Sequence, residues 1–66
     1  MKEWVKLKDR EPEHLLEIDV LIRHCNKNLK LEDRIVTGYI GDDNFYFLDG
    51  GELSFNWDII EWRESD

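Results

Sequence analysis

The chain lacks much of what small secreted or catalytic domains are built from. It has one cysteine, Cys25, so no internal disulfide can form. Domains of this size that mature in an oxidising compartment are normally stapled by several bridges. A cytoplasmic chain is therefore expected, held together by its core or by a partner subunit. Cys25 itself reads as a small, inert residue. No apolar run approaches the ~18 residues of a membrane span. The opening Met1-Lys-Glu-Trp-Val-Lys lacks the continuous apolar stretch of a signal peptide, so no membrane association is expected. With one proline and four glycines there is no linker either. Positive charge nearly vanishes after the midpoint: from Ile35 onward, Arg63 is the only lysine or arginine.

Reactive groups are equally scarce. Two histidines and one cysteine cannot supply the four ligands of a structural zinc site. Asp42-Asp-Asn and Asp49-Gly-Gly-Glu lack the alternating oxygen ligands and closing glutamate of a calcium loop. No Gly-Lys-Ser/Thr pattern follows Gly50-Gly51, which makes that pair turn chemistry and not a phosphate cradle. His24 and Cys25 are adjacent in a strand-like segment and so point to opposite faces, which excludes a dyad between them. His14 falls in a polar break, where a solvated imidazole is the ordinary state. A cleft that shields a reaction from water is hard to build on 66 residues. No enzymatic activity, metal or cofactor is expected.

What is present is enough to fold. Hydrophobic residues make up 41% and aromatics 12%, whereas disordered chains are poor in aromatic and β-branched side chains. Residues 1–66 form one small domain, and a chain this short buries only about 60% of its unfolded surface. Trp4 to Lys8 alternate, with Val5 and Leu7 on one face. In Leu15 to Cys25, Leu16, Ile18, Val20, Ile22 and His24 share one parity, and the β-branched content favours a strand. Glu32 to Ile40 sets Arg34, Val36, Gly38 and Ile40 against Ile35, Thr37 and Tyr39. Gly41-Asp-Asp-Asn and Asp49-Gly-Gly are turns. Phe45 to Leu48 is apolar enough for a strand covered on both faces in part. Leu53, Phe55, Trp57 and Ile59 alternate with polar residues until Ile60 and Trp62 change parity, which implies a bulge or break near Asp58. The pattern predicts a mainly β fold: one small antiparallel sheet, a β-meander of four or five short strands. A short helix within Glu11 to Leu16 would make it α+β.

The two ends of the chain carry a more specific signal. Trp4-Val-Lys-Leu-Lys-Asp-Arg-Glu-Pro resembles the opening Trp-Ile/Val-x-x-x-Asp-Arg-x-Pro of the domain of unknown function 551 family, small proteins found largely in bacteriophages and prophages. Val20-Leu-Ile, Gly38-Tyr39 and Ile59-Ile-Glu-Trp-Arg are similar to that family's later strands. The residues that carry the resemblance are Trp4, Asp9, Arg10, Pro12 and Trp62. Glu61 stands where the family has His before its closing Trp, and Arg63-Glu-Ser-Asp replaces its Pro-rich tail. The resemblance implies a phage-type accessory protein acting in the host cytoplasm, and no chemistry. On physical grounds Trp4 and Trp62 can each bury ~150–250 Å² and tie down the terminal strands, packed together or over one core. Asp9-Arg10-x-Pro12 reads as a turn in which Asp9 accepts backbone hydrogens and Pro12 fixes φ.

Charge supplies the functional expectation. Up to Arg34, eight basic residues balance eight acidic ones, so the whole net charge of −7 lies in the second half. Such a field repels nucleic acid and anionic membrane and favours basic partner surfaces. Lys2, Trp4, Lys6 and Lys8 form the one basic, aromatic stripe, and cross-strand pairing with acids accounts for them better than direct nucleic-acid binding. The expected partner is a host protein with a basic surface, met by Asp42, Asp43, Asp49, Glu52, Asp58 and Glu61. By imitating nucleic-acid phosphates these carboxylates would inhibit a nucleic-acid-binding or defence complex, such as a CRISPR-type one. The alternative is a structural or assembly protein acting as a homo-oligomer. A homodimer burying one sheet face or strand edge is expected from the apolar content of Phe45 to Leu48 and Leu53 to Trp57.

Overall fold

Ile18, Val20 and Ile22 alternate with Asp19, Leu21 and Arg23, and that period of two calls for a strand with one dry face. A computed structural model describes residues 3–65. These residues form five strands: β1 (Val5–Lys6), β2 (Ile18–His24), β3 (Arg34–Ile40), β4 (Phe45–Phe47) and β5 (Trp57–Glu64). They make one antiparallel sheet in the order β1-β5-β2-β3-β4. The fold is mainly β, as the alternation implies. β2, β3 and β4 run as a meander, and β5 then returns to lie beside β2, which is Greek-key order.

No α-helix occurs among the described residues, and none is long and apolar enough to cross a membrane. A single 3-10 turn, Lys27–Leu29, joins β2 to β3. The helix considered for Glu11 to Leu16 does not form. The Leu15 N–H instead donates to the Ile40 carbonyl at 3.0 Å, and Leu15 adopts φ 66°, a left-handed conformation that ends any helical path.

One face of the sheet holds the core. Ile18, Val20 and Ile22 from β2, Phe45 from β4, Trp62 from β5 and Leu53 from the β4–β5 connection are buried. Val5, Leu7, Leu16, Val36, Phe47 and Ile59 pack against them. Gly38 permits this arrangement. A Cβ there would stand 2.0 Å from the Tyr46 carbonyl oxygen and 2.7 Å from Phe45 Cζ, so only glycine lets the Phe45 ring cross β3.

β5 departs from the alternation in its sequence. Val20 pairs with Trp62 and Ile22 with Ile59, and the register shifts between Leu21 and Ile22, leaving Ile60 as the extra residue. This bulge restores both Ile59 and Trp62 to the core face. Upstream, the alternation of Leu53, Phe55 and Trp57 is not a strand. The Trp57 N–H donates to the Ser54 carbonyl at 3.0 Å, closing a turn that leaves Phe55 90% exposed.

The two terminal tryptophans part company. Val5 pairs with Trp62, so they share the core face, and Trp4, one residue earlier, turns to the other. Trp62 is 3% exposed; its Nε1–H donates to the Arg10 carbonyl at 2.7 Å and the Arg10 guanidinium lies 5.0 Å over its ring. The Asp9 and Arg10 N–H groups both donate to the Lys6 carbonyl, at 3.0 and 3.2 Å. The Asp-Arg turn is therefore closed by main-chain bonds, and it places Arg10 as a clasp on Trp62.

Candidate protein-binding surface

The β4 end of the sheet is built by short-range hydrogen bonds. Gly41 N–H donates to the Asn44 carbonyl at 2.8 Å, closing the turn that carries Asp42 and Asp43. Asn44 Nδ2 donates to the Leu53 carbonyl at 2.9 Å, while its Oδ1 accepts from the Phe45 N–H at 2.8 Å. On the other side of β4, Leu53 N–H donates to the Phe45 carbonyl and Phe47 N–H to the Gly51 carbonyl. The chain after β4 therefore doubles back along it, and Glu52 bridges to Tyr46. Gly50 makes that reversal possible with φ 97°, a conformation other residues rarely take.

Tyr46 organises the acids. Its hydroxyl donates to Asp43 Oδ1 at 2.5 Å, and its ring stacks on Tyr39 with centroids 5.6 Å apart. The hydrogen bond to Asp43, reinforced by partial desolvation and by the charges of Asp43 and Glu52, pushes the phenol up to about 12. Asp42 is exposed beside it, with Oδ1 2.9 Å from His14 Nε2. Asp49 lies at the opposite end of β4, where its Oδ1 accepts from the Gly51 N–H at 3.0 Å.

Asp58 and Glu61 stand elsewhere. Both are on β5, three strand spacings or about 14 Å from β4 across the sheet. Asp58 pairs with Arg23, and Glu61 with Leu21 on one side and Lys6 on the other. These two carboxylates are interleaved with cations. The structure thus places Asp43 and Glu52 against Tyr46, turns the neighbouring Asp42 to His14, sets Asp49 at the far end of the same strand, and places Asp58 and Glu61 in a mixed-charge region. Lys2 of the basic stripe and Asp66 of the acidic half lie outside the described residues.

The face of the sheet opposite the core carries a network that the sequence alone did not reveal. Asp19 Oδ1 accepts from the Thr37 hydroxyl at 2.7 Å, and Oδ2 accepts from Arg63 Nε at 3.0 Å. The Arg63 guanidinium lies 4.5 Å over the Trp4 ring. One carboxylate thereby ties β3, β2 and β5 together and anchors the start of the chain. A hint was available: Asp19 is a lone acid between β-branched neighbours, and Arg63 is the only cation of the second half. Nearby, Arg23 grips Asp33 through Nε and Nη2, a fork that raises the guanidinium's pKa and lowers that of the carboxyl.

An open groove of about 550 Å³ runs beside Leu7, Ile59 and Ile60 with Lys6, Lys8 and Glu11 around it, at the sheet edge remote from β4. A smaller hollow of about 240 Å³ is bordered by Val36, Phe47, Leu53 and Trp57, with Arg34 and Glu52 among its lining. Among the described residues no group of three or more His, Cys, Asp and Glu is placed to hold a metal ion. Comparison with protein-family models, with curated proteins and with solved structures returns no match.

Proposed function

We propose that this chain is a non-enzymatic binding module that engages a basic protein surface through the β4 end of its sheet. One observation carries the reading. Asp43 and Glu52 flank Tyr46 in its stack with Tyr39, Asp42 stands exposed on the same turn as Asp43, and the chain has no lysine or arginine from Ile35 to Trp62. Carboxylates on a hydrogen-bonded turn beside half-buried tyrosine rings suit Lys- and Arg-rich surfaces, which bind them by charge and by stacking. A surface evolved to hold phosphates offers both, so a nucleic-acid-binding host protein is the partner class, and occupation of its site makes the chain an inhibitor. Action in the host cytoplasm and kinship with the domain of unknown function 551 family belong to the same proposal. The meeting of Arg10 and Trp62, two residues of that resemblance, in one clasp supports the kinship.

Capture from host lysate at low and high salt tests it. A partner retained at low salt should be released as salt rises and displaced by duplex DNA. The triple variant D42N/D43N/E52Q should fold normally, since exposed charges add little stability, and should lose the partner. Capture that ignores both salt and the triple substitution overturns the reading.

A further inference from the structure

We infer that the hollow between β3 and the chain returning from β4 is a site for a small aromatic carboxylate, with its ring against Phe47 and Trp57 and its anionic group on Arg34. The hollow exists because β4 is short. β3 spans Arg34–Ile40, yet β4 pairs only with Gly38, Tyr39 and Ile40. Arg34 pairs with Ile22 and Val36 with Val20, which sets both on the face that carries the core. Trp57 pairs with His24, of the same parity as Ile22, and joins them there. The returning chain buries Leu53, and the space left over measures about 240 Å³.

The lining divides by chemistry. Ile22, Val36, Phe47, Leu53 and Trp57 supply the apolar and aromatic wall. Val36, Phe47 and Trp57 are only half-buried, so a ring seated there removes apolar surface from water. Arg34 supplies the charge. Its guanidinium lies 5.6 Å over the Trp57 ring, and among the described residues no carboxylate pairs with it. Arg23 and Arg63, by contrast, are held by Asp33 and Asp19. Stacking uses the flat face of the Arg34 guanidinium and leaves its N–H edge to meet a carboxylate through two parallel hydrogen bonds. Ser54 adds a donor on the same lining: its Oγ accepts from the Asn56 N–H at 3.3 Å, and its O–H is left to donate.

Size and charge narrow the ligand. Sites for drug-sized molecules enclose ~300–1,000 Å³, so this smaller space suits a single ring. One guanidinium in a chain of net charge −7 favours a singly charged carboxylate over a doubly charged phosphate, which the surrounding field repels more strongly. Glu52, also in the lining, does not oppose the carboxylate directly. It bridges to Tyr46, and its carboxylate acts on the Tyr46 phenol, on the face of the sheet opposite Phe45 and Phe47. The larger groove beside Leu7 and Ile59 sets Lys6 and Lys8 against Glu11 and selects no sign of charge. The hollow does not draw on Asp42 or Asp43, so the inference stands independently of the proposed partner.

Titration of the purified chain with phenylacetate, followed by nitrogen-edited NMR, tests it. Millimolar phenylacetate should shift the Val36, Phe47 and Leu53 amides and the Trp57 indole saturably. Phenylacetamide, which keeps the ring and lacks the charge, should bind about tenfold more weakly. Absence of saturable shifts at these residues, or equal binding of acid and amide, overturns the inference and leaves Arg34 as a cap on Trp57. Inorganic phosphate that reproduces the whole response overturns it too, since the ring would then contribute nothing. Arg34→Met should cost about tenfold, with Arg34→Lys keeping part of the affinity. Ser54→Ala, at an exposed position the core does not need, should cost about threefold. Undiminished binding by Arg34→Met and Ser54→Ala overturns the assignment of the anionic group. Acetyl-alanyl-phenylalanine carries the same ring and carboxylate on a peptide; tighter binding of it than of phenylacetate overturns the choice of a free small ligand.

Discussion

At the β1–β5 side of the sheet a tryptophan is buried and held from two directions, by a carbonyl at its Nε1 and a guanidinium on its ring. At the β4 end the chain reverses twice within residues 41–53, and its contacts are turn hydrogen bonds between near neighbours. The first region joins residues far apart in the chain, so a substitution there is felt throughout the fold. The second gives Phe45 and Leu53 to the core but carries its acids on turns that face solvent, and those turn side chains are free to change without loss of the core. A surface for recognition is best placed in the second kind of region, on an end whose chemistry the fold does not need.

Trp62→Ala should break the contrast most strongly. Removing a buried tryptophan costs ~3–5 kcal/mol, close to the whole stability of a domain this small. Denaturant or thermal unfolding measures it, and a wild-type transition would mean that the clasp contributes nothing. Gly38→Ala comes next. The added methyl meets the Tyr46 carbonyl and the Phe45 ring, and overpacking of this kind costs ~1–3 kcal/mol. Because Gly38 joins the core to the acidic end, its replacement should also disturb the Tyr39–Tyr46 stack, visible in the aromatic circular dichroism.

The smallest effect sharpens the comparison at the β4 end. The folded pKa of Tyr46 is raised from 10.0 to about 12, so the folded state holds that proton more tightly than the unfolded one. The resulting stability is complete below pH 10 and is lost as pH rises towards about 12. An absorbance titration should show one late-ionising tyrosine that Tyr46→Phe abolishes. If no tyrosine ionises late in the wild type, the Asp43–Tyr46 bond is not a feature of the folded protein in solution.

β2 and β3 were legible because both carry a strict period of two, and the buried Ile18, Val20 and Ile22 are the apolar parity of that pattern. The same rule misread Leu53 to Trp57. Alternation over so few residues is satisfied by chance, and a main-chain bond from Trp57 to Ser54 decides the turn without regard to side-chain parity. The acids of the β4 end could be named from composition, but composition could not separate Asp42, Asp43 and Glu52 from Asp58 and Glu61. Their separation follows from strand order: the connection after β4 buries Leu53 in the core and β5 then lies beside β2, carrying its two carboxylates in among Lys6 and Arg23.

The sequence by itself determined the class of fold, the central strands, the turns at Gly41 and Asp49, the apolar identity of Trp62 and the one-sided charge, because each depends on neighbours in the chain. Only the tertiary structure decided that Trp4 and Trp62 lie on opposite faces, that Arg10 clasps Trp62, that Asp19 joins three strands, and that β3 outruns β4. These depend on which strands lie side by side and in what register. A two-residue period specifies which face a side chain takes, and leaves open which partner it will find there.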